Sequence, residues 1–224
     1  MIKVVPAIIP HNKEQLEGEI KKVSSFANLV QIDISDGIFT GVKTWPYNGR
    51  DTDFFEKLRK EEEGWPDWEE VDFEIHLMVR NPEEVVLDWI HTGASVIVIH
   101  IESTENIQKI IDICNENFVS VGIAIKPSTD FSLLSKFISE VDFVQVMGSD
   151  ALGRHGVELD LRVISKIKSL RNENPELVIA IDIGVTDDTA PVLIEAGINK
   201  LVSGGEILNA DNPEEVYSEL SNLG

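Results

Sequence analysis

The chain has 224 residues, 42% of them hydrophobic, which supplies a sizeable core, yet no apolar run approaches the roughly 18–20 residues that span a bilayer. A formal net charge of −21 excludes the continuous basic surface that would track nucleic acid, while leaving room for a small anion bound locally by glycine-rich loops or helix N-termini. The single cysteine, Cys114, rules out an intrachain disulfide, and with no leader-like N-terminal segment the sequence reads as a soluble cytoplasmic protein with no membrane partner.

Short β-branched runs alternate with longer amphipathic stretches along the chain. Residues 2–9 read as a strand and 13–26 as a helix. A second strand runs from Asn28-Leu29-Val30 into Gln31-Ile32-Asp33-Ile34-Ser35-Asp36-Gly37. A long loop over 38–49 then leads to a charged helix over 51–60. Residues 61–70, with two tryptophans, a proline and many acids, read as a solvated connection. The third strand covers 71–78, and Asn81-Pro82 opens a helix with proline in its first turn. Strands follow at 94–100, 119–125, 141–147, 177–183 and 200–203, and helices at 104–117, 131–139, 159–172, 187–196 and 213–220. Ile107, Ile110, Ile111 and Cys114 share one face at helical spacing. Eight regular strand–helix units with no composition break predict one (β/α)8 barrel domain over 1–224. A doubly wound open sheet is the alternative, but it does not require eight such units.

A barrel of this type carries its chemistry at the C-terminal ends of the strands. Gln31, Asp33 and Ser35 share one face of strand two by period two, and a polar row in a buried strand needs partners. Glu74 and His76 share a face of strand three, His100 and Glu102 end strand four, and Lys126, Met147 and Asp182 end strands five to seven. Asp33, His76 and Asp182 form a candidate set either for proton transfer or for zinc, manganese or iron. The structural alternative for His76 is a core imidazole satisfied by a carboxylate such as Glu74. Asp182, between Ile181 and Ile183, has little packing purpose. Lys126 is a candidate for Schiff-base chemistry, against the blander reading of a lysine paired with Glu102.

Several motifs resemble the ribulose-phosphate 3-epimerase family over nearly the whole chain. Pro6-Ala7-Ile8-Ile9 is similar to the family's Pro-Ser-Ile-Leu, and Gln31 to Phe39 to its His-Val-Asp-Val-Met-Asp-Gly-His-Phe. His76-Leu77-Met78 with Asn81-Pro82, His100-Ile101-Glu102, Asp182-Ile183-Gly184-Val185 and Ser203-Gly204-Gly205 resemble further segments. The resemblance implies a barrel that inverts C3 of a ketopentose phosphate, interconverting D-ribulose 5-phosphate and D-xylulose 5-phosphate through an enediolate. It implies Asp33 and Asp182 as the acid–base pair, and a divalent metal held by Asp33, His76 and Asp182. It also implies phosphate on backbone N–H groups around Gly184, Gly204 and Gly205, with Gly153 and Gly156 as further candidates. Ser35, Met78 and Met147 are the expected pocket neighbours, and dimers or hexamers the expected homo-oligomers.

The chain departs from the pattern at Gln31, which stands where the family has its first histidine ligand. Gln31 remains a candidate ligand through its amide oxygen, a weaker neutral donor than imidazole. Ala7, Ser35, Ile38, Lys126 and the 148–156 loop, with Arg154 adding charge, also depart. Three readings stay open: an epimerase with an altered metal site, a barrel with changed chemistry such as a Lys126 aldolase, and a catalytically silent relative that binds a phosphosugar or a partner protein.

Overall fold

The computed structural model describes residues 2–224. Eight parallel strands follow one another around a closed barrel: β1 (Lys3–Ile8), β2 (Leu29–Ser35), β3 (Asp72–Met78), β4 (Val96–His100), β5 (Ser120–Ile125), β6 (Phe143–Met147), β7 (Val178–Asp182) and β8 (Lys200–Ser203). β8 pairs back onto β1, with Pro6 opposite Ser203, so among the described residues no edge strand is left open. The helices are α1 (Lys13–Val23), α2 (Thr52–Leu58), α3 (Val86–His91), α4 (Ile107–Glu116), α5 (Arg162–Glu173), α6 (Ala190–Ala196), α7 (Gly205–Leu208) and α8 (Pro213–Ser221). This is the TIM barrel that the strand–helix alternation predicts.

Two elements differ from expectation. Where a helix is predicted over 131–139, the chain makes 3-10 turns at Phe131–Lys136 and Ile138–Glu140. Only Leu134 is buried there, which gives an α-helix no apolar face to dock. The four-residue α7 directly after Gly204 is absent from the sequence reading.

Strand residues alternate between two cores. Outward-facing Ile32, Ile34, Ile75, Leu77, Ile97 and Ile99 pack in the layer between barrel and helices. There α4 contributes Ile107, Ile110, Ile111 and Cys114, the face its spacing predicts. The barrel interior holds Val5, Ala7, Leu29 and Val202 on one side and Met78, Val98, Ala124, Phe143, Met147 and Ala180 on the other. Between these apolar groups lie the buried polar residues Gln31, Asp33, Glu74, His76, Gln145, Asp182 and Lys200. Lys200 of β8 donates to Glu74 of β3 in a fully buried ion pair, and its ammonium lies 4.0 Å from the centroid of Phe143. Burial pulls the Lys200 pKa below its usual value despite the Glu74 charge. Glu74 is therefore committed to Lys200 and is not the partner of His76, contrary to the simplest structural reading of that histidine.

The segment over 61–70 is also not simply a solvated connection. Trp65 is buried, stacks on Phe73 at 5.0 Å and meets Trp45 edge-on at 6.1 Å. Trp45, fully buried, also contacts Phe54, Phe55 and Trp89, so the long loop after β2 is pinned by an aromatic cluster behind the barrel. Trp68 alone of this pair of tryptophans remains exposed.

Candidate active site

Parallel pairing fixes the site's levels. β2 and β3 are in register with Asp33 opposite His76, and β6 and β7 with Met147 opposite Asp182. The inward parity of each strand then turns Asp33, His76 and Asp182 toward the barrel axis near the C-terminal ends. His76 Nδ1 lies 2.9 Å from Asp33 Oδ1 and 3.5 Å from Asp182 Oδ2. One ligand atom from each of the three residues falls within 4.8 Å of the others, close enough that the three could hold a metal ion together.

Gln31 joins them from below. Its Nε2 donates to Asp33 Oδ1 at 2.8 Å and to Asp182 Oδ2 at 3.1 Å, and lies 3.4 Å from His76 Nδ1. Its Oε1 is buried without a partner. Gln145, on β6, donates a second amide N–H to Asp182 Oδ2 at 3.3 Å. The sequence signal for Gln145 was available, since it shares Met147's inward parity inside an apolar strand, but Gln145 is missing from the sequence-based site.

Behind His76 stands a second imidazole. The His76 and His100 Nε2 atoms are 3.0 Å apart, and His100 Nδ1 is 3.2 Å from Glu102 Oε2. Burial pushes the His100 pKa down to about 4, so the ring is neutral at pH 7. A neutral His100 that donates from Nδ1 to Glu102 has Nε2 free to accept the His76 Nε2–H, which leaves His76 Nδ1 facing the two aspartates. Glu102 is itself fixed by the Lys126 N–H at 2.8 Å and the Thr129 hydroxyl at 2.6 Å. Burial alone would raise its pKa, but these hydrogen bonds and His100 hold it down at about 2.

Charge at the centre is divided unevenly. Burial, and then repulsion from Asp33, push the Asp182 pKa up to about 7, against the opposing pull of His76 and Gln31. Burial would lower that of His76, but the hydrogen bond and charge of Asp33, with Asp182 and Glu74, hold it above the ordinary imidazole value.

Above this cluster opens a cavity of ≈ 440 Å³. Asp33, Asp182, Met78 and Met147 line one part of it, and Gly153, Gly156, Gly184, Gly204 and Gly205 another. Arg154, His155, Thr186 and Asn209 also border it, the last two unforeseen from sequence. Gly184 has φ +74°, and a Cβ there would lie 2.8 Å from Leu159. At Gly204 a Cβ would meet the His155 ring at 2.6 Å, so His155 rests directly on that glycine. His76 and Gln31 lie beneath the cavity and do not line it. Ser35 does not reach it either: its hydroxyl is taken up by Thr40 at 2.6 Å and by the Val42 carbonyl at 2.6 Å, which corrects its expected place in the pocket. Asp36 folds the turn after β2, accepting from the Ile38, Phe39 and Arg80 N–H groups. Lys126 is outside the lining as well, with its ammonium 4.1 Å from the Phe39 ring centroid rather than paired with the Glu102 carboxylate.

The donor set fits a divalent ion. Bonds of about 2.0–2.2 Å place neighbouring donors about 3.0–3.5 Å apart, depending on geometry. His76 Nδ1 lies 2.9 Å and 3.5 Å from the Asp33 and Asp182 carboxylate oxygens, and the ligand atoms of all three residues lie within 4.8 Å of one another, so a small closure would complete the set. Rotation of the Gln31 amide would bring its unpartnered oxygen to the same place.

Solved structures with the same architecture include 3-hexulose-6-phosphate synthase from Salmonella typhimurium, at 15% identity, TM-score 0.71, covering 99% of this chain and 98% of that one. Another is 3-keto-L-gulonate-6-phosphate decarboxylase from Vibrio cholerae, at 11% identity and TM-score 0.72, covering 99% and 96%. At these identities they speak to the fold alone. Among curated proteins, the ribulose-phosphate 3-epimerase of Schizosaccharomyces pombe is 34% identical over 154 residues, covering 69% of this chain and 67% of its own. That of Bacillus subtilis is 27% identical over 227 residues, covering 98% of both. Residues 3–208 match the model of the ribulose-phosphate 3 epimerase family, and the chain belongs to that family.

Proposed function

We propose that the protein is a sugar-phosphate 3-epimerase that interconverts D-ribulose 5-phosphate and D-xylulose 5-phosphate by proton transfer at C3 through an enediolate. The observation that carries this reading is the pair of carboxylates, Asp33 and Asp182, that both border one cavity and are both braced from below. Two acids set about a substrate carbon can remove a proton from one face and return one to the other. Inversion needs one of them ionised and the other protonated. With no ion bound, burial and the neighbouring Asp33 push the Asp182 pKa up to about 7, so the protein surroundings themselves favour a proton on this carboxyl.

Asp33, His76 and Asp182 would hold a divalent metal such as zinc, iron or manganese, which supplies positive charge for the oxygens of the enediolate. The protein's residues supply the rest. His100 and Glu102 keep the His76 Nδ1 turned to the aspartates, and Gln145 steadies Asp182. Met78 and Met147 give the site an apolar wall that limits water near the reacting carbon. Backbone N–H groups about Gly184, Gly204 and Gly205, with Arg154 and His155 nearby, suit the phosphate.

The test is conversion of ribulose 5-phosphate to xylulose 5-phosphate by the metal-supplemented protein. Asp33→Asn and Asp182→Asn are each expected to lower kcat by about 10²-fold or more. An Asp182→Asn variant with unchanged kcat would contradict the assignment. Borohydride trapping of substrate on Lys126 would favour aldolase-type chemistry instead.

A further inference from the structure

Gln31 turns the NH₂ end of its amide, which cannot ligate a metal, toward the three candidate ligands. Its Nε2 is within 2.8–3.4 Å of the three residues that could hold a cation, while Oε1 is buried and unpartnered. Two carboxylates in a closed interior repel one another unless a positive charge or a shared donor lies between them. The Gln31 NH₂ is such a donor, with one N–H for each aspartate. The reverse orientation would set the amide oxygen against two carboxylate oxygens.

We propose that Gln31 is a two-way group: with Nε2 inward it takes the cation's place and braces the metal-free site, and a half-turn of the amide makes Oε1 the fourth donor to a divalent ion. This rests on the metal-assisted epimerase reading. A neutral imidazole at this position could not brace the site in the same way, because it has a single N–H, whereas the amide NH₂ offers one N–H to each aspartate. Gln145 makes the turn feasible, since its own N–H stays on Asp182 Oδ2 when Gln31 lets go. The metal-free protein is then a stable, preformed state, and the ion must displace an internal donor to enter. Loading is weaker than in a site with histidine at this position.

The probe is Zn²⁺ alone, added to purified full-length protein, with three readouts: equilibrium binding, thermal unfolding of the metal-free form, and crystal structures with and without the ion. Gln31→His is expected to bind Zn²⁺ at least about tenfold more tightly than the wild type. Gln31→Met, which has neither donor nor oxygen, is expected to lower the metal-free Tm by about 5 °C or more. In the Zn²⁺-loaded wild type, the Gln31 amide end should lie within about 2.3 Å of the ion, a distance only its oxygen can make. Zn²⁺ bound by Asp33, His76 and Asp182 with the amide still bridging the aspartates would overturn the half-turn alone. An unchanged metal-free Tm in Gln31→Met would overturn the brace. Failure of both wild type and Gln31→His to take up Zn²⁺ would overturn the metal reading and the half-turn with it. If Gln31→Met does not fold, the wild-type crystal structures still decide the question.

Discussion

At the scale of single residues, the interior is governed by charges that satisfy one another away from water. Glu74 and Lys200 are one case, a buried pair in the barrel interior in which Glu74 Oε2 accepts from Lys200 and Oε1 is left without a partner. Removing one partner strands the other, whereas replacing both with apolar groups removes the desolvation cost as well. Lys200→Met is therefore expected to lose about 3–5 kcal/mol in urea unfolding, and Lys200→Met combined with Glu74→Leu to recover most of it. Equal losses in the single and double variants would show that the pair contributes through packing instead. His100 and Glu102 are the groups whose contributions are lost in acid. Unfolded His100 takes up a proton as pH falls through 6.5, but folded His100 only near 4, so its contribution drops across that window, opposed by Asp182, whose raised pKa adds stability as pH falls from about 7 toward 3.8. Glu102 extends the loss, because its folded pKa of about 2 lies below the unfolded value of 4.5, and the stability it contributes above pH 4.5 disappears as pH falls toward 2. Glu102→Gln should flatten the lower part of this limb, by up to about 3 kcal/mol between pH 5 and 2. A limb of unchanged slope would remove Glu102 as its cause.

At the scale of elements, β2 was the most legible. Its period-two row of Gln31, Asp33 and Ser35 announced polar groups in a buried strand, and two of the three do meet partners from other strands. Ser35 misled because the loop after β2 folds back: Thr44 accepts from the Ser35 N–H at 2.8 Å and donates to the Asp33 carbonyl at 3.1 Å, so that end of the strand is covered by its own chain. No local pattern encodes such a return. It depends on Trp45 reaching a cluster built from α2, α3 and the segment before β3. Trp45→Ala should cost about 3–5 kcal/mol by leaving a cavity there, read as a fall in the urea midpoint. A loss below about 1 kcal/mol would mean that the loop is held by its Thr44 bonds instead. The loop after β6 makes the complementary point. Arg154 was visible as a charge, but His155 resting on Gly204 is a contact between two loops far apart in sequence. Gly204→Ala should displace His155 and raise KM for the sugar phosphate about tenfold, with kcat changed by less than about twofold. A kcat effect without a KM effect would place the phosphate elsewhere.

At the scale of the whole molecule, the strand–helix alternation was enough to give the closed barrel, because apolar runs separated by amphipathic stretches leave few other ways to bury both faces of a parallel sheet. The convergence of Asp33, His76 and Asp182 was legible for the same reason: each lies at the C-terminal end of a strand, and closure brings those ends together. Which carboxylate serves which cation was not legible, since Glu74 meets Lys200 126 residues away and only the register of the closed sheet decides it. The same limit applies to Gln31, whose type suggested a lost ligand and whose position retains a donor at the fourth corner of the site. The proposed function depends on proton transfer at one carbon. Ribulose 5-phosphate incubated in D₂O with the metal-supplemented protein should lose its C3 proton signal and yield C3-deuterated xylulose 5-phosphate, with neither change in Asp33→Asn or Asp182→Asn. Retention of the C3 proton by a protein that binds both the ion and the sugar phosphate would contradict it.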